Sequence, residues 1–331
     1  MFVRERTPRA AAERLPAVLR SVGAEPATAR VERLTTGTDS SLTFAVRPDN
    51  GRRLIVRLAG SEPAIAGLRR AADAQQALRR LDALAETRSI IPELLADGDL
   101  DGWRYTVEAA QPGRPLTDPG LTPGAAEQGR HGAIAVADAL HAAAPRRRSP
   151  DDAREAWIER RVGRARDLLA ATSRGGQSAA LDGLLDAARA SLAADPTPIA
   201  GWIHGDLWAA NVLVDEAGTV TGLVDWDSAA PDEAGDLDPL HLVLFERRRR
   251  RHESLGETLV SATRDGWDAA DRALVASARA IPVVGDGARP DAGHLIRYWL
   301  WFVEANVARH PRLATDRAWL DRNVAAVLAC A

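Results

Sequence analysis

Apolar positions change their period near the middle of this chain. In the first third they come in short runs suited to strands: Ala29 to Leu34, Leu42 to Val46, Leu54 to Leu58, Glu93 to Asp97 and Trp103 to Glu108. An amphipathic stretch, Pro8 to Val22, precedes them, and Ala64 to Ala85, rich in alanine, leucine, arginine and glutamine, reads as one long helix. Asn50-Gly51 suits a tight turn and makes Leu54 to Leu58 a hairpin partner of Leu42 to Val46. The segment Ala109 to Pro115 breaks both periodicities and reads as a linker.

Beyond the linker the pattern is helical. Thr122-Pro123 and Ser149-Pro150 each set a cap residue before a proline suited to the first helical position. Helices are predicted over Gly124 to Ala143, Asp151 to Ala171 and Ala179 to Ala193. Strands return around Pro198 to Asp225, and the remainder is helical. There Leu295, Tyr298, Trp299, Phe302, Val303 and Val307 share one face and predict a core helix. The run Arg247 to Arg251 reads as a solvated helix face.

Composition narrows the class. With 331 residues, 46% of them hydrophobic, the chain can bury a substantial core in two lobes or domains. The formal net charge of −3 gives no reason to expect nucleic acid as a partner. No apolar run is long enough for a membrane span, and the charged N-terminus lacks the apolar core of a signal peptide. A single cysteine, Cys330, cannot form an internal disulfide, so a cytoplasmic location is expected. All 43 basic residues counted as lysine or arginine are arginine, so any role that needs a lysine falls to arginine.

The chemistry concentrates between Ile203 and Asp236. His204-x-Asp206 opens the segment, and Asn211 follows the aspartate by five positions. The strand Val212 to Val214, the turn DEAGT and the strand Val220 to Val224 lead into Asp225. Asn211 and Asp225 lie symmetrically about Gly218, so a hairpin centred there brings them together at its open end. An amide oxygen and a carboxylate converging this way suit a hard cation such as magnesium. Asp206, just before that mouth, can accept the proton of an attacking hydroxyl. These are the parts phosphoryl transfer needs, in the order of the protein-kinase signatures H-R-D-x-x-x-x-N and D-F-G.

This stretch resembles the aminoglycoside phosphotransferase family, whose catalytic loop reads H-G-D-x-x-x-x-N with a later D-W and G-D. Here those are His204-Gly205-Asp206, Asn211, Asp225-Trp226 and Gly235-Asp236. Val107 to Gly113 is similar to the family's hinge, and Ala139-Leu140-His141-Ala142 to its L-H-x helix end. The resemblance implies an α+β, protein-kinase-like two-lobe fold. Residues 1–108 would form the nucleotide-binding lobe, 109–115 the hinge, and 116–331 the helical lobe with the acceptor site.

It further implies a small-molecule kinase using ATP or GTP and Mg2+, acting on a small hydroxyl-bearing acceptor, as a monomer or homodimer. Asp206 would be the catalytic base, Asn211 and Asp225 the magnesium ligands, and Glu108 and Ala110 the main-chain contacts of the nucleotide base. His204 would brace the loop, and Asp236 would anchor it by hydrogen bonds. Trp208 and Trp226 are read as packing residues. The phosphate-covering loop is expected at TTGTDSS, where main-chain N–H groups and the hydroxyls of Thr38, Ser40 and Ser41 could cradle phosphates. A plain polar hairpin is the alternative. Arg57 stands where the family's strand lysine is expected, as a phosphate ligand or as an ordinary edge-strand arginine. Its orienting carboxylate is not evident; the long helix offers Glu62, Asp73, Gln75 and Gln76.

A protein kinase fits less well, because the short interval from Asp225 to Gly235-Asp236 contains no A-P-E. An antibiotic-like acceptor is one reading. A fructosamine, sugar or amino-alcohol kinase, an inert nucleotide-binding scaffold and, more distantly, a hydrolase are others. The helical half offers no obvious acidic cluster for a polycationic acceptor, with Glu304 as a single possible contact.

Overall fold

In the computed structural model, which describes residues 8–36, 41–49, 51–171, 177–282 and 287–329, the strand-like runs of the first third assemble into one sheet. The strands β1 (Arg30–Thr36), β2 (Ser41–Arg47), β3 (Leu54–Ala59), β4 (Leu94–Leu100) and β5 (Trp103–Ala109) pair antiparallel in the order β1-β2-β3-β5-β4. The last pair of the β2–β3 hairpin is Val46 with Leu54. The two runs therefore pair as the hairpin expected, with the connection spanning positions 47–53; Gly51 lies within it, and Asn50 is outside the described residues.

Leu42, Phe44, Val46, Val56 and Leu58 bury against Leu15, Val18 and Leu19 of the first helical segment. That segment is two helices, Pro8–Ala12 and Leu15–Arg20, where one amphipathic stretch was expected. Pro16, which cannot donate an N–H, sits in the opening turn of the second and restarts it.

The helix predicted over Ala64 to Ala85 runs Glu62–Arg79 and gives way to short turns at Asp82–Leu84 and Arg88–Ile90. Its small residues allow close approach: Ala71, Ala74 and Leu78 join the large core of the helical half. The helix is thus packed onto the turn Trp226–Ser228 as well as following the sheet.

The segment after β5 reaches the helical half at Arg114–Pro115, which pairs antiparallel with Val214 and Leu213. Gly113 has φ 98°, and a Cβ there would run into the side chain of Thr221, so only glycine fits this bend. Downstream, Thr122 accepts from the Ala125 N–H at 3.2 Å and opens the helix Pro123–Ala143. Ser149 caps the next helix in the same way at 3.1 Å. A π turn at Glu155–Glu159 interrupts the helix expected over Asp151 to Ala171. There Trp157 is buried and donates its indole N–H to the Asp232 carbonyl.

The helix Ala292–Arg309 is buried on more than the one face expected, with Ile296, Leu300 and Trp301 also inside. An antiparallel sheet lobe followed by a helical lobe is the kinase-like α+β arrangement. Among the described residues no helix is long and apolar enough to cross a membrane.

Candidate active site

The strand Ile199–Ile203 delivers His204, Gly205 and Asp206 to the junction of the two halves. Asp238 fixes this loop: its carboxylate accepts the main-chain N–H groups of His204 at 2.6 Å and Gly205 at 2.8 Å. The anchoring expected of Asp236 therefore belongs to Asp238. Asp236 instead binds His294 at 2.5 Å and Arg297 at 2.7 Å on the last long helix. Both aspartates open the helix Leu237–Arg251, and its phase aims them at different partners.

His204 is fully buried. Its Nδ1 accepts from the Asp206 N–H at 3.3 Å, so the ring proton lies on Nε2, which donates to the Val224 carbonyl at 3.0 Å. This ties the loop to the strand leading into Asp225. Gly205 has φ 77°, and a Cβ would clash with the Ser228 carbonyl.

Asp206, Asn211 and Asp225 meet at that junction. Asn211 ends a short turn, Ala209–Asn211, and its carbonyl accepts from the Val224 N–H at 2.9 Å, closing the hairpin mouth. Its Nδ2 donates to the Asp206 carbonyl at 2.9 Å and to Asp206 Oδ2 at 3.2 Å. Asp225 adopts a left-handed backbone, φ 68° and ψ 62°, which turns the chain sharply into Trp226. Trp226 is core, whereas Trp208 reaches a cavity wall.

Burial by itself would raise the Asp206 pKa. His241, Arg309 and His204 outweigh it and hold the carboxyl well below the usual range. His241 Nε2 lies 3.5 Å from one Asp206 oxygen and Arg309 3.4 Å from the other. The Tyr298 hydroxyl is 3.0 Å from His241 Nδ1; with the hydroxyl donating, Nε2–H faces Asp206.

Arg57 is buried and crosses from β3 to the segment Asp225 to Asp227. It donates to Asp227 at 2.6 and 2.9 Å and to Asp225 at 2.8 Å. Despite the desolvation that opposes its charge, Asp227, Asp225 and Glu108 keep it protonated. Its orienting carboxylate is thus Asp227, not a residue of the long helix. Gln75 on that helix donates to Glu108 at 3.0 Å, and Arg70 to the Asp227 carbonyl at 2.9 Å. Burial pushes the Glu108 carboxyl up, with Arg57 and Gln75 offsetting only part of the rise.

Two cavities flank this cluster. One, of about 590 Å³, has Asp206, His241 and Arg309 in its wall and otherwise lies in the helical half. The other, of about 460 Å³, lies between the sheet and the hairpin and is lined by Ser41, Thr43, Arg57, Glu108, Asn211 and Asp225, among others. Asn211 lines the second while bonding Asp206 of the first. After β5, Ala109 and Gln111 line the smaller cavity but Ala110 does not. The Ala110 N–H is already donated to the Arg53 carbonyl at 2.9 Å, so its main chain has only a carbonyl to offer. Thr38 and Ser40 lie outside the described residues.

The oxygens fit a hard cation. Asn211 commits its nitrogen to Asp206, and among the described residues no donor reaches its Oδ1 or Asp225 Oδ2. Sequence reasoning missed Asp227, Asp238, His241 and Arg309. Only Asp227, two positions after Asp225 in D-W-D, and Asp238, in G-D-L-D, carried a local signal. Glu304 is no isolated contact: it pairs with Arg161, which also holds Glu233.

The sequence profile of the phosphotransferase enzyme family matches residues 30–271. No curated protein sequence matches. The fold is shared with an aminoglycoside-3'-phosphotransferase of type VIII, at 20% identity and TM-score 0.52, over 88% of this chain and 97% of that one. It is shared with a thermostable mutant of an aminoglycoside phosphotransferase in ternary complex with AMP-PNP and hygromycin B, at 17% identity and TM-score 0.56, over 96% and 98%. A macrolide 2'-phosphotransferase from Brachybacterium faecium is also similar, at 17% identity and TM-score 0.51, over 95% and 98%. With the profile spanning most of the chain and the fold common to nearly all of it, this protein belongs to the phosphotransferase enzyme family and is an enzyme that transfers phosphate to a hydroxyl group.

Proposed function

We propose that the chain is a small-molecule kinase that moves the terminal phosphoryl group of ATP or GTP onto a hydroxyl of an antibiotic-like or other small acceptor. The carrying observation is that Asn211 joins the two cavities, lining one and hydrogen-bonded to Asp206 in the wall of the other. The smaller cavity takes the nucleotide, with its base beside the hinge at Glu108 and Ala109 and its phosphates toward Arg57, Ser41 and Asp225. The larger takes the acceptor. That a structural relative was solved with AMP-PNP and an antibiotic together supports this two-ligand reading.

Asp206 accepts the acceptor's proton as the hydroxyl oxygen attacks the γ-phosphorus and the nucleoside diphosphate leaves. Its low pKa keeps it ionised and makes it a weak base. That suits a loose transition state in which the hydroxyl is deprotonated late and needs chiefly to be oriented. A magnesium ion held by Asn211 Oδ1 and Asp225 would neutralise phosphate oxygens. Arg57 fixes Asp225, and His241 and Arg309 fix Asp206.

The test is an acceptor screen by mass spectrometry over antibiotics, nucleosides and sugars, with magnesium–ATP and magnesium–GTP. Wild type should add one phosphate to an acceptor, and Asp206→Asn should lose roughly 10²–10⁴-fold of that rate. Equal inactivity of both proteins with nucleotide still bound would favour a scaffold. Nucleotide consumption that needs no acceptor would favour a hydrolase.

A further inference from the structure

Resting on that kinase reading, we infer that the acceptor has a flat, aromatic or similarly apolar body bearing an anionic group, and that the larger cavity disfavours polycationic amino sugars. Trp208, Phe245, Trp301, Phe302 and Trp319 all line this cavity. Trp208 tilts against Phe245 with centroids 6.2 Å apart, Phe245 lies 6.4 Å from Phe302, and His241 stacks on Phe245 at 4.2 Å. Such a wall offers ring faces to a flat ligand.

The charge in the same cavity is arranged against a polycation. Its carboxylates are Asp206, Glu253 and Glu257, and its arginines are Arg248, Arg309 and Arg322. Both glutamates already have structural work: Glu257 closes a capping box by accepting the Ser254 N–H at 2.7 Å, and Glu253 accepts the Ser261 hydroxyl at 3.0 Å. The arginines are less committed: Arg248 donates only its Nε, to the Glu253 carbonyl at 3.2 Å, and among the described residues Arg309 meets Asp206 alone, at 3.4 Å.

The run Arg247 to Arg251 makes the contrast within one helix end. Arg247 is fully buried on Asp271, a departure from the solvated face expected. Arg249 pairs with Glu246, Arg250 with Asp268 and Asp271, and Arg251 with Asp265. Among the described residues Arg248 alone of the five bonds no carboxylate, and it alone lines the cavity, its guanidinium 5.2 Å from the Phe245 ring centroid.

Arg322 likewise bonds no carboxylate among the described residues and feels Glu257 only at longer range. It sits in a π turn, Asp321–Ala325, a local expansion of the helix that is frequent at functional sites. That turn is held by the Trp299 indole on the Asn323 carbonyl at 2.7 Å. A carboxylate, phosphate or sulfate would find arginine donors here, whereas a polycation would displace its own water to face them.

Three matched probes isolate the charge: 3-(hydroxymethyl)benzoate, its methyl ester and 3-(hydroxymethyl)benzylamine, with kanamycin as a polycation. Tryptophan fluorescence titration reads binding without turnover, and phosphate transfer is followed by mass spectrometry. The benzoate should bind about tenfold or more tightly than the benzylamine, and Arg248→Glu/Arg322→Glu should reverse the order while circular dichroism and nucleotide binding stay unchanged. Tighter binding of the benzylamine or kanamycin, no binding of the benzoate at low-millimolar concentration, or an order unaltered in the double variant would overturn the inference. If kanamycin is phosphorylated in preference, with loss in Asp206→Asn, the inference falls and the kinase reading stands. If the benzoate preference reverses as expected but no probe is phosphorylated by wild type and the acceptor screen is also empty, the kinase reading falls instead.

Discussion

Arg57 and Asp227, 170 positions apart, are joined by two hydrogen bonds of 2.6 and 2.9 Å within the seam between the sheet and the turn that follows Asp225. Both side chains are about 10% exposed, so neither charge can fall back on water. Asp227→Ala leaves the guanidinium with Asp225 alone and should cost about 3–5 kcal/mol, the usual penalty for an orphaned buried partner. Arg57→Met/Asp227→Leu should recover much of that loss. Urea unfolding of the single and double variants checks both expectations.

Asp206 titrates below the usual carboxylate range because His241, Arg309 and His204 overcome the effect of burial. A lowered pKa favours the ionised form, so Asp206 should impose no acidic limb on kcat/KM at ordinary carboxylate pH values. His241→Phe or Arg309→Ala removes a stabilising partner and should raise the pKa, moving an acidic limb to higher pH. The pH profile of kcat/KM in each variant decides it; an unmoved profile would separate these residues from Asp206.

Glu108 behaves in the opposite sense, its pKa raised chiefly by burial. A raised carboxyl contributes its stability fully below its unfolded pKa and loses it as pH rises through the folded value. Glu108→Gln removes the ionisation and keeps the main chain. Its melting temperature relative to wild type should therefore improve from pH 5 to pH 8. A constant difference across that interval would contradict the burial argument.

Asp238 and Asp236 should separate under amide substitution. Asp238→Asn keeps an oxygen for one main-chain N–H but sets its NH2 against the other, so it should destabilise by about 1–3 kcal/mol and lower kcat by loosening the loop. Asp236 binds away from that loop and has a depressed pKa, since Arg297 and His294 outweigh its burial. Its contribution is present above the unfolded pKa and lost as pH falls. Asp236→Asn should thus be destabilised at pH 7 and approach wild type in acid, with kcat affected less. Melting curves and single-turnover rates distinguish the two.

The order Asp206, Asn211, Asp225 located the junction because a hairpin turns sequence symmetry into proximity. The strands and caps were legible for the same local reason: Thr122 and Ser149 sit beside the groups they cap. What sequence could not convey was phase and distance. Asp236 and Asp238 differ by two positions on one helix start, and only the packed helix decides which meets the loop. Five identical arginines conceal that Arg247 faces inward. Asp227 serves Arg57 from the far side of the chain, and no period in the long helix could announce that its carboxylate was supplied from elsewhere. Pro16 was visible, but its consequence required knowing that a new helix begins there.

The amide of Asn211 has unlike ends, and that constrains evolution at this position. Aspartate would offer any cation a stronger ligand, yet it would also turn a lone pair toward Asp206 where an N–H now points. Two acceptors would then confront each other at 3.2 Å, and the Asp206 carboxylate would be pushed out of place. A side chain at this border must give to one neighbour and accept from the other, which excludes the symmetric acid.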